Sequence, residues 1–331
     1  MQPLEERLRR RAQLIRSVRT YFDQADFIEV DTPIALTAPA PELHIEAPEV
    51  TFNLLEAPQR RFLQTSPELP MKRLLSLGLP RIYQIASVFR DGDYSPCHRP
   101  EFRMLEWYRR DASWETLFTD CEGLMRTLAQ LLCDGPLVKY QGTEINLAPP
   151  FRRVTVEEAF VEHAGFSILN SLTLPTLQRE LTKLNLAFGG DDRWDDLFHR
   201  VFLSLVEPRL LDHPRPLFLT QYPAPLGALA RLSPEDPRVA ERVELYCGGM
   251  ELANGFGELT SPTEQRSRFE AERQKRRDAG SVDYPLDERF LDGLTRLPPS
   301  AGMALGIDRL VMLFLDLPTI EESGSLPWSE T

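Results

Sequence analysis

Three carboxylates recur at intervals of seven in one acidic stretch: Glu244, Glu251 and Glu258, the last two inside GMELANGFGEL at 249–259. Seven residues are two helical turns, but Gly248, Gly249, Asn254, Gly255 and Gly257 argue against a helix. An extended segment also gathers carboxylates. Clustered away from water they need a cation or an amine as partner; otherwise they form a solvated acidic face. A second segment runs from VFR, ending at Arg90, through a polar loop to HRPEFRMLEWY, His98 to Tyr108. As a hairpin it sets Arg90 at one strand's end and His98 in the loop. Phe102, Met104, Glu106 and Tyr108 then share one face of the returning strand, because alternate strand residues point the same way. A ring, a carboxylate and a phenol on one face can stack a base and grip an amine, although a lone strand of this pattern more often just faces water. A third segment, AGMALGIDRLVML at 301–313, carries Gly302 and Gly306, where a nucleotide can approach the backbone, and Arg309, within reach of a phosphate. Alone, such a turn is usually only a tight connection.

The elements that must hold these groups are legible in outline. Leu4, Leu8, Ile15, Val18 and Phe22 mark a helix over 4–22, with arginines on its other face. FIEVDTPI at 27–34 reads as a short strand stopped by Pro33, and 35–49 as irregular, Pro-rich chain. Pro67 stands just before a helix start at MKRLL, 71–75. Strands are expected at 81–90 and 101–109, and the clearest helix at 113–133, capped by Ser113 and with one broad apolar face. The stretch 135–215 reads as a mostly helical insertion. Strand-like and then loop-rich chain is expected at 238–260, a charged helix at 264–278 ended by Gly280, and a strand-to-helix unit at 302–316.

A chain of 331 residues suits one large catalytic domain with such an insertion. No apolar run reaches the roughly 18 residues that cross a bilayer. The start, MQPLEERLRRRAQ, is charged throughout and includes Glu5 and Glu6, so neither a secretory signal nor a transit peptide is expected, and a cytoplasmic location is. Cys97, Cys121, Cys133 and Cys247 show no CxxC pairing, which points to free thiols rather than zinc ligands or disulfides. With 38 basic against 50 acidic residues the net charge is −12, an unfavourable balance for gripping a long polyanion such as tRNA.

In combination the segments resemble the three motifs of class II aminoacyl-tRNA synthetases, in order: EVDTP (29–33), FR…HRPEF (89–102) and GMALGIDR (302–309). TSPE (65–68), MLEWY (104–108) and ELANGFGEL (251–259) are similar to the lysine pocket of the lysyl-tRNA synthetases. Ala304 stands where those synthetases have Gly; in this it resembles the ligases that attach β-lysine to elongation factor P. The resemblance runs from the first helix to residue 316. It implies an α+β fold, an antiparallel sheet of about six strands flanked by helices, and a homodimer joined through the first motif. Because the chain starts at the helix leading into that motif, no anticodon-binding domain is expected.

The same resemblance implies roles. Arg90 would meet the substrate carboxylate and the α-phosphate; His98 and Arg309, with Gly306 beside them, the outer phosphates of a bent ATP; and Phe102 the adenine. Glu244 and Glu251 would hold Mg²⁺. Glu68 would take the amino group near the carboxylate and Asn254 the carboxylate itself, while Glu106, Tyr108 and Glu258 take the distal ammonium. The activity implied is ATP-dependent activation of (R)-β-lysine, or another lysine-like acid, and its transfer to a lysine of elongation factor P. The alternatives are acylation of tRNA and a paralogue without catalysis. Three departures stand out. Asp91-Gly92-Asp93 replaces the Asn-Glu that follows the motif-two arginine, leaving Asp93 as the candidate acid near adenine. Leu69-Pro70 and Gly257 replace bulkier or more polar residues.

Overall fold

The computed structural model describes residues 3–330. Helix α1 (Leu4–Gln24) leads into the short strands β1 (Ile28–Glu29) and β2 (Ala35–Leu36), then β3 (Glu49–Asn53) and β4 (Pro58–Leu63). Helix α2 (Glu68–Ser76) precedes the long hairpin of β5 (Arg81–Phe89) and β6 (Glu101–Arg110). After α3 (Thr116–Cys133) come β7 (Leu137–Tyr140), β8 (Thr143–Asn146) and β9 (Arg152–Thr155). The helices α4 (Val156–Ala164), α5 (Leu174–Lys183), α6 (Trp194–Val201) and α7 (Glu207–Leu211) follow. The last third holds β10 (Leu217–Pro223), β11 (Val239–Cys247), β12 (Met250–Gly257), α8 (Pro262–Asp278) and α9 (Glu288–Leu294). It closes with β13 (Ser300–Gly306) running straight into α10 (Ile307–Leu315).

Eight strands form the main sheet in the order β1-β5-β6-β13-β12-β11-β10-β9. The six from β5 to β10 are antiparallel, and β1 and β9 add a parallel strand at each edge. The pleat then sorts side chains to two faces. Leu105 and Trp107 of β6, with Ala301, Met303 and Leu305 of β13, enter the main core with α1, α3 and α10. Helix α3 buries Leu117, Phe118, Cys121, Leu124, Met125 and Leu128 at helical spacing, and Phe22 of α1 stacks on Tyr83 at 4.8 Å. The intervening residues Glu106, Tyr108, Gly302 and Ala304 look to the other side of the sheet, where the cavity lies. A second core joins α4 and α6 to β9 and β10, with Phe198 stacked between Phe160 and Phe202.

Several expectations need correction. FIEVDTPI contributes only a two-residue strand, because just Ile28 and Glu29 reach the edge of β5. Leu4 is half exposed; Leu14, Val18 and Phe22 are the buried face of α1. Ser113 does not cap α3: the N-cap is Glu115, without a side-chain hydrogen bond, and only the Ser113 carbonyl is used, by Thr116. The stretch 135–215 opens with three strands before its helices. Residues 238–260 are two full strands rather than loop-rich chain, with Gly248 and Gly249 both at positive φ in the tight turn between them. The four cysteines are free. No helix among the described residues is long and apolar enough to cross a membrane.

Candidate functional site

A cavity of about 440 Å³ opens over the centre of the sheet, within the usual range for a small-molecule site. Strand register builds its floor. Glu244, Asn254, Ala304 and Glu106 lie side by side across β11, β12, β13 and β6; Arg242, Phe256, Gly302 and Tyr108 form the next row. Regular alternation would put Glu251 and Asn254 on opposite faces. The register shifts between Leu245 and Tyr246, which pair with Ala253 and Glu251, leaving Leu252 as an extra residue in β12. That bulge re-aims Glu251 into the cavity beside Asn254.

One end of the cavity is basic. Arg90 follows β5 and donates its backbone N–H to the Pro100 carbonyl at 2.9 Å, which closes the hairpin. Its guanidinium lies 5.3 Å over the Phe102 ring, and its buried Nε has no partner. Arg309, in the first turn of α10, is held by the carbonyls of Glu251 (2.7 Å) and Cys97 (3.3 Å). It also donates to His98 Nε2 at 2.5 Å. A guanidinium can only donate, so the imidazole is neutral and its Nδ1–H donates to Ser95 Oγ at 2.8 Å. Partial desolvation, and then Arg309, hold the His98 pKa below its ordinary value. Two guanidiniums with an imidazole have the donors and charge to seat phosphates.

The middle is acidic. Glu244 accepts from Arg242 at 2.7 Å and from the Tyr246 hydroxyl at 2.8 Å, all three side chains coming from one face of β11. Desolvation, and then the Glu244 charge, push the Glu251 pKa up against the pull of Arg309, Arg242 and Arg90. A divalent cation between Glu244 and Glu251 would remove the repulsion that helps raise Glu251. Among the described residues the one group of three close enough to share a metal is elsewhere, His44 with Asp195 and Asp196. Both of those carboxylates already accept hydrogen bonds from Arg193.

The far end is a carboxylate cluster with one built-in cation. Glu106, wholly buried, accepts from Ser66 Oγ at 2.5 Å and from the Tyr108 hydroxyl at 2.8 Å. Burial, and then the Glu68 charge, push its pKa up to about 7. Lys72, one turn after Glu68 on α2, pairs with both Glu68 and Glu258, and its side chain is fully buried. Burial pushes the Glu258 pKa up to about 8, with Lys72 pulling against it. Asn254 Oδ1 is buried without a hydrogen-bond partner, so it awaits a donor. Gly302 is required here: a Cβ would fall 2.1 Å from the Tyr108 ring and 2.6 Å from Glu258 Oε1. Gly257 has a local reason too, since a Cβ there would meet Glu241 Oε2 at 2.1 Å.

Of the residues singled out in the sequence, Glu68, Arg90, His98, Phe102, Glu106, Tyr108, Glu244, Glu251, Asn254, Ala304, Gly306 and Arg309 all line this cavity. Glu258 lies just behind its wall at Gly302, and Asp93 stays in the hairpin loop, outside the lining. Sequence reasoning missed Ser66, Lys72, Arg242 and Tyr246. The i,i+4 spacing of Glu68 and Lys72 and the alternation Arg242-Glu244-Tyr246 were the available signals. It also missed a wall from the inserted helices, where Phe198, His199, Phe202, Leu203 and Glu207 reach the cavity. Here α6 continues through a π-helical turn, Phe202–Val206, a departure often found at functional sites.

The model of the class II tRNA synthetases (D, K and N) matches residues 2–329. A lysine–tRNA ligase of Synechococcus sp. (strain RCC307) is 37% identical over 326 residues, covering 96% of this chain and 63% of that protein. One from Pelotomaculum thermopropionicum is 34% identical, covering 94% and 61%. The chain thus spans less than two thirds of the length of these lysine–tRNA ligases. An elongation factor P–(R)-beta-lysine ligase of Vibrio vulnificus (strain YJ016) is 38% identical over 328 residues, covering 98% of this chain and 96% of that protein.

Proposed function

The chain belongs to the class II tRNA synthetases of the D, K and N group, and on that premise we propose that it joins (R)-β-lysine to a lysine side chain of elongation factor P. The observation that carries this reading is the polarity of one cavity, arginines at one end and a buried carboxylate cluster at the other. A lysine-like acid matches it, with its carboxylate toward Arg90 and its ammonium groups toward Glu68, Glu106 and Glu258. Elongation factor P is favoured as acceptor by the match over 96% of the Vibrio ligase. (R)-β-Lysine is favoured by Ala304, whose methyl sits between Asn254 and Glu106 in the sheet register.

The chemistry has two steps. The amino-acid carboxylate oxygen attacks the α-phosphorus of ATP, the bond from that phosphorus to the bridging oxygen breaks, and pyrophosphate leaves with the electron pair. Arg90 meets the charge gathering on the α-phosphoryl oxygens, and Arg309 with His98 holds the outer phosphates. Glu244 and Glu251 would hold Mg²⁺, whose charge offsets that of the polyphosphate. In the second step the lysine amine of elongation factor P forms an amide at the acyl carbon, AMP leaves, and the amine gives up a proton. That amine must be neutral to attack, against an ordinary pKa near 10.4. A homodimer and a cytoplasmic location belong to the same proposal; light scattering on the purified protein tests the first.

ATP–pyrophosphate exchange is the direct test of activation. The proposal expects exchange that depends on β-lysine and saturates with it. Exchange with none of the lysine isomers would leave a synthetase-like protein without catalysis.

A further inference from the structure

Lys72 is not needed to explain the phosphate or cation sites, yet among the described residues it is the one ammonium paired with the carboxylates at the acidic end of the cavity. It reaches there from α2, contacting Glu68 one turn earlier and Glu258 at the end of β12. The side chains of Lys72 and Glu258 are both 0% exposed. Glu258 is fixed by its own backbone, whose N–H donates to the Ser300 carbonyl at 2.9 Å. Its Oε1 makes no hydrogen bond and lies where a Cβ on Gly302, a cavity-wall residue, would come within 2.6 Å of it. Lys72 therefore occupies the far side of a carboxylate whose near side is unpartnered.

Resting on the function proposed above, we infer that Lys72 is a positioning residue of the amino-acid pocket. Its ammonium, shared between Glu68 and Glu258, holds the two carboxyl groups close together, so that each presents its remaining oxygen to a separate amino group of the substrate. The charge count agrees. Once substrate ammonium groups draw the protons from the raised carboxyls, Glu68, Glu106 and Glu258 bring three negative charges and Lys72 one positive, leaving two, the number of ammonium groups on a diamino acid whose carboxylate is met by Arg90. A buried ion pair by itself adds little net stability over an apolar replacement, so structure alone is a weak reason for Lys72. Among the described residues the other titratable groups acting on this cluster are Glu106, Tyr108 and Glu42, the last itself influenced by Arg90, Arg242 and Glu272. None of the first three is a cation, so Lys72 has no substitute.

The test follows the Glu258 carboxyl in the ligand-free protein by ¹³C NMR, assigned by its loss in Glu258→Gln. Lys72→Met is expected to raise the Glu258 titration midpoint by at least one pH unit. The pH dependence of the amino-acid KM should move with it, so that KM at pH 7 rises at least tenfold while KM for ATP changes less than twofold. Should Lys72→Met fail to fold, Lys72→Met/Glu106→Gln is compared with Glu106→Gln, since one fewer buried carboxylate then has to be neutralised. An unmoved Glu258 titration overturns the proposal, as does a moved titration with an unchanged amino-acid KM. Failure of the wild-type protein to bind either lysine isomer would count against the function proposed above; the ligand-free titration still decides the role of Lys72.

Discussion

Replacing Glu106 by Gln separates two effects that the structure predicts with opposite signs. The carboxyl is wholly buried between Ser66 and Tyr108, and its pKa is pushed up to about 7 from 4.5, by burial first and Glu68 second. A carboxyl raised in the folded state favours folding while protonated, and that contribution is lost as pH rises through the folded pKa. Each pH unit between the unfolded and folded values is worth about 1.4 kcal/mol, so from pH 5.5 to pH 8 the ligand-free wild type loses about 2 kcal/mol through this group. Gln keeps the shape, and its amide serves both hydroxyls, one as donor and one as acceptor. The stability difference between Glu106→Gln and wild type should therefore swing toward the variant by about 2 kcal/mol over that range. Denaturant unfolding at a series of pH values measures it, staying above the pI near 5.1. The same change removes a charged partner from the substrate's ammonium, worth about 1.5–3 kcal/mol, so the amino-acid KM should rise about 10- to 150-fold. A stability difference that is flat with pH would refute the buried, raised carboxyl, and an unchanged KM would refute its place in the amino-acid pocket.

Arg90→Ala should slow ATP–pyrophosphate exchange by about 10²–10³, because it removes a donor aimed at developing phosphate charge; a near wild-type rate would move the phosphate site elsewhere. Glu251→Gln should raise the Mg²⁺ concentration needed for half-maximal exchange, since an amide cannot replace a carboxylate for a hard cation, and an unchanged requirement would remove Glu251 from the metal. Ala304→Gly should shift the ratio of kcat/KM for β-lysine over α-lysine toward α-lysine by roughly 1–3 kcal/mol, the worth of one methyl in a packed pocket. An unchanged ratio would leave that methyl a packing detail.

The parts of this site that the sequence discloses are those whose geometry is local. The hairpin from Arg81 to Arg110 can be read because alternation in one strand places Phe102, Glu106 and Tyr108 on one face regardless of what packs behind it. The Gly306–Arg309 turn is legible for the same reason, as a strand passing directly into a helix. Glu251 and Asn254 are a different case: their convergence depends on a bulge at Leu252, which is set by pairing with β11 and leaves no mark in β12 alone. Lys72 looks like an ordinary helix-surface lysine until Glu258, 186 positions later, is folded against it. Likewise nothing in Phe198–Glu207 reveals that this inserted segment faces the cavity rather than solvent. Contacts of high sequence separation decide these, and residue spacing does not carry them.

The central claim is that this active site hands its activated amino acid to a protein lysine. The most direct measurement incubates the protein with ATP, Mg²⁺ and labelled β-lysine in the presence of purified elongation factor P or of total tRNA, and follows label in each. The account predicts that elongation factor P gains the mass of one β-lysine on one lysine side chain, in a bond that survives mild alkali, while tRNA stays unlabelled. Alkali-labile label on tRNA, with elongation factor P unmodified, would contradict it.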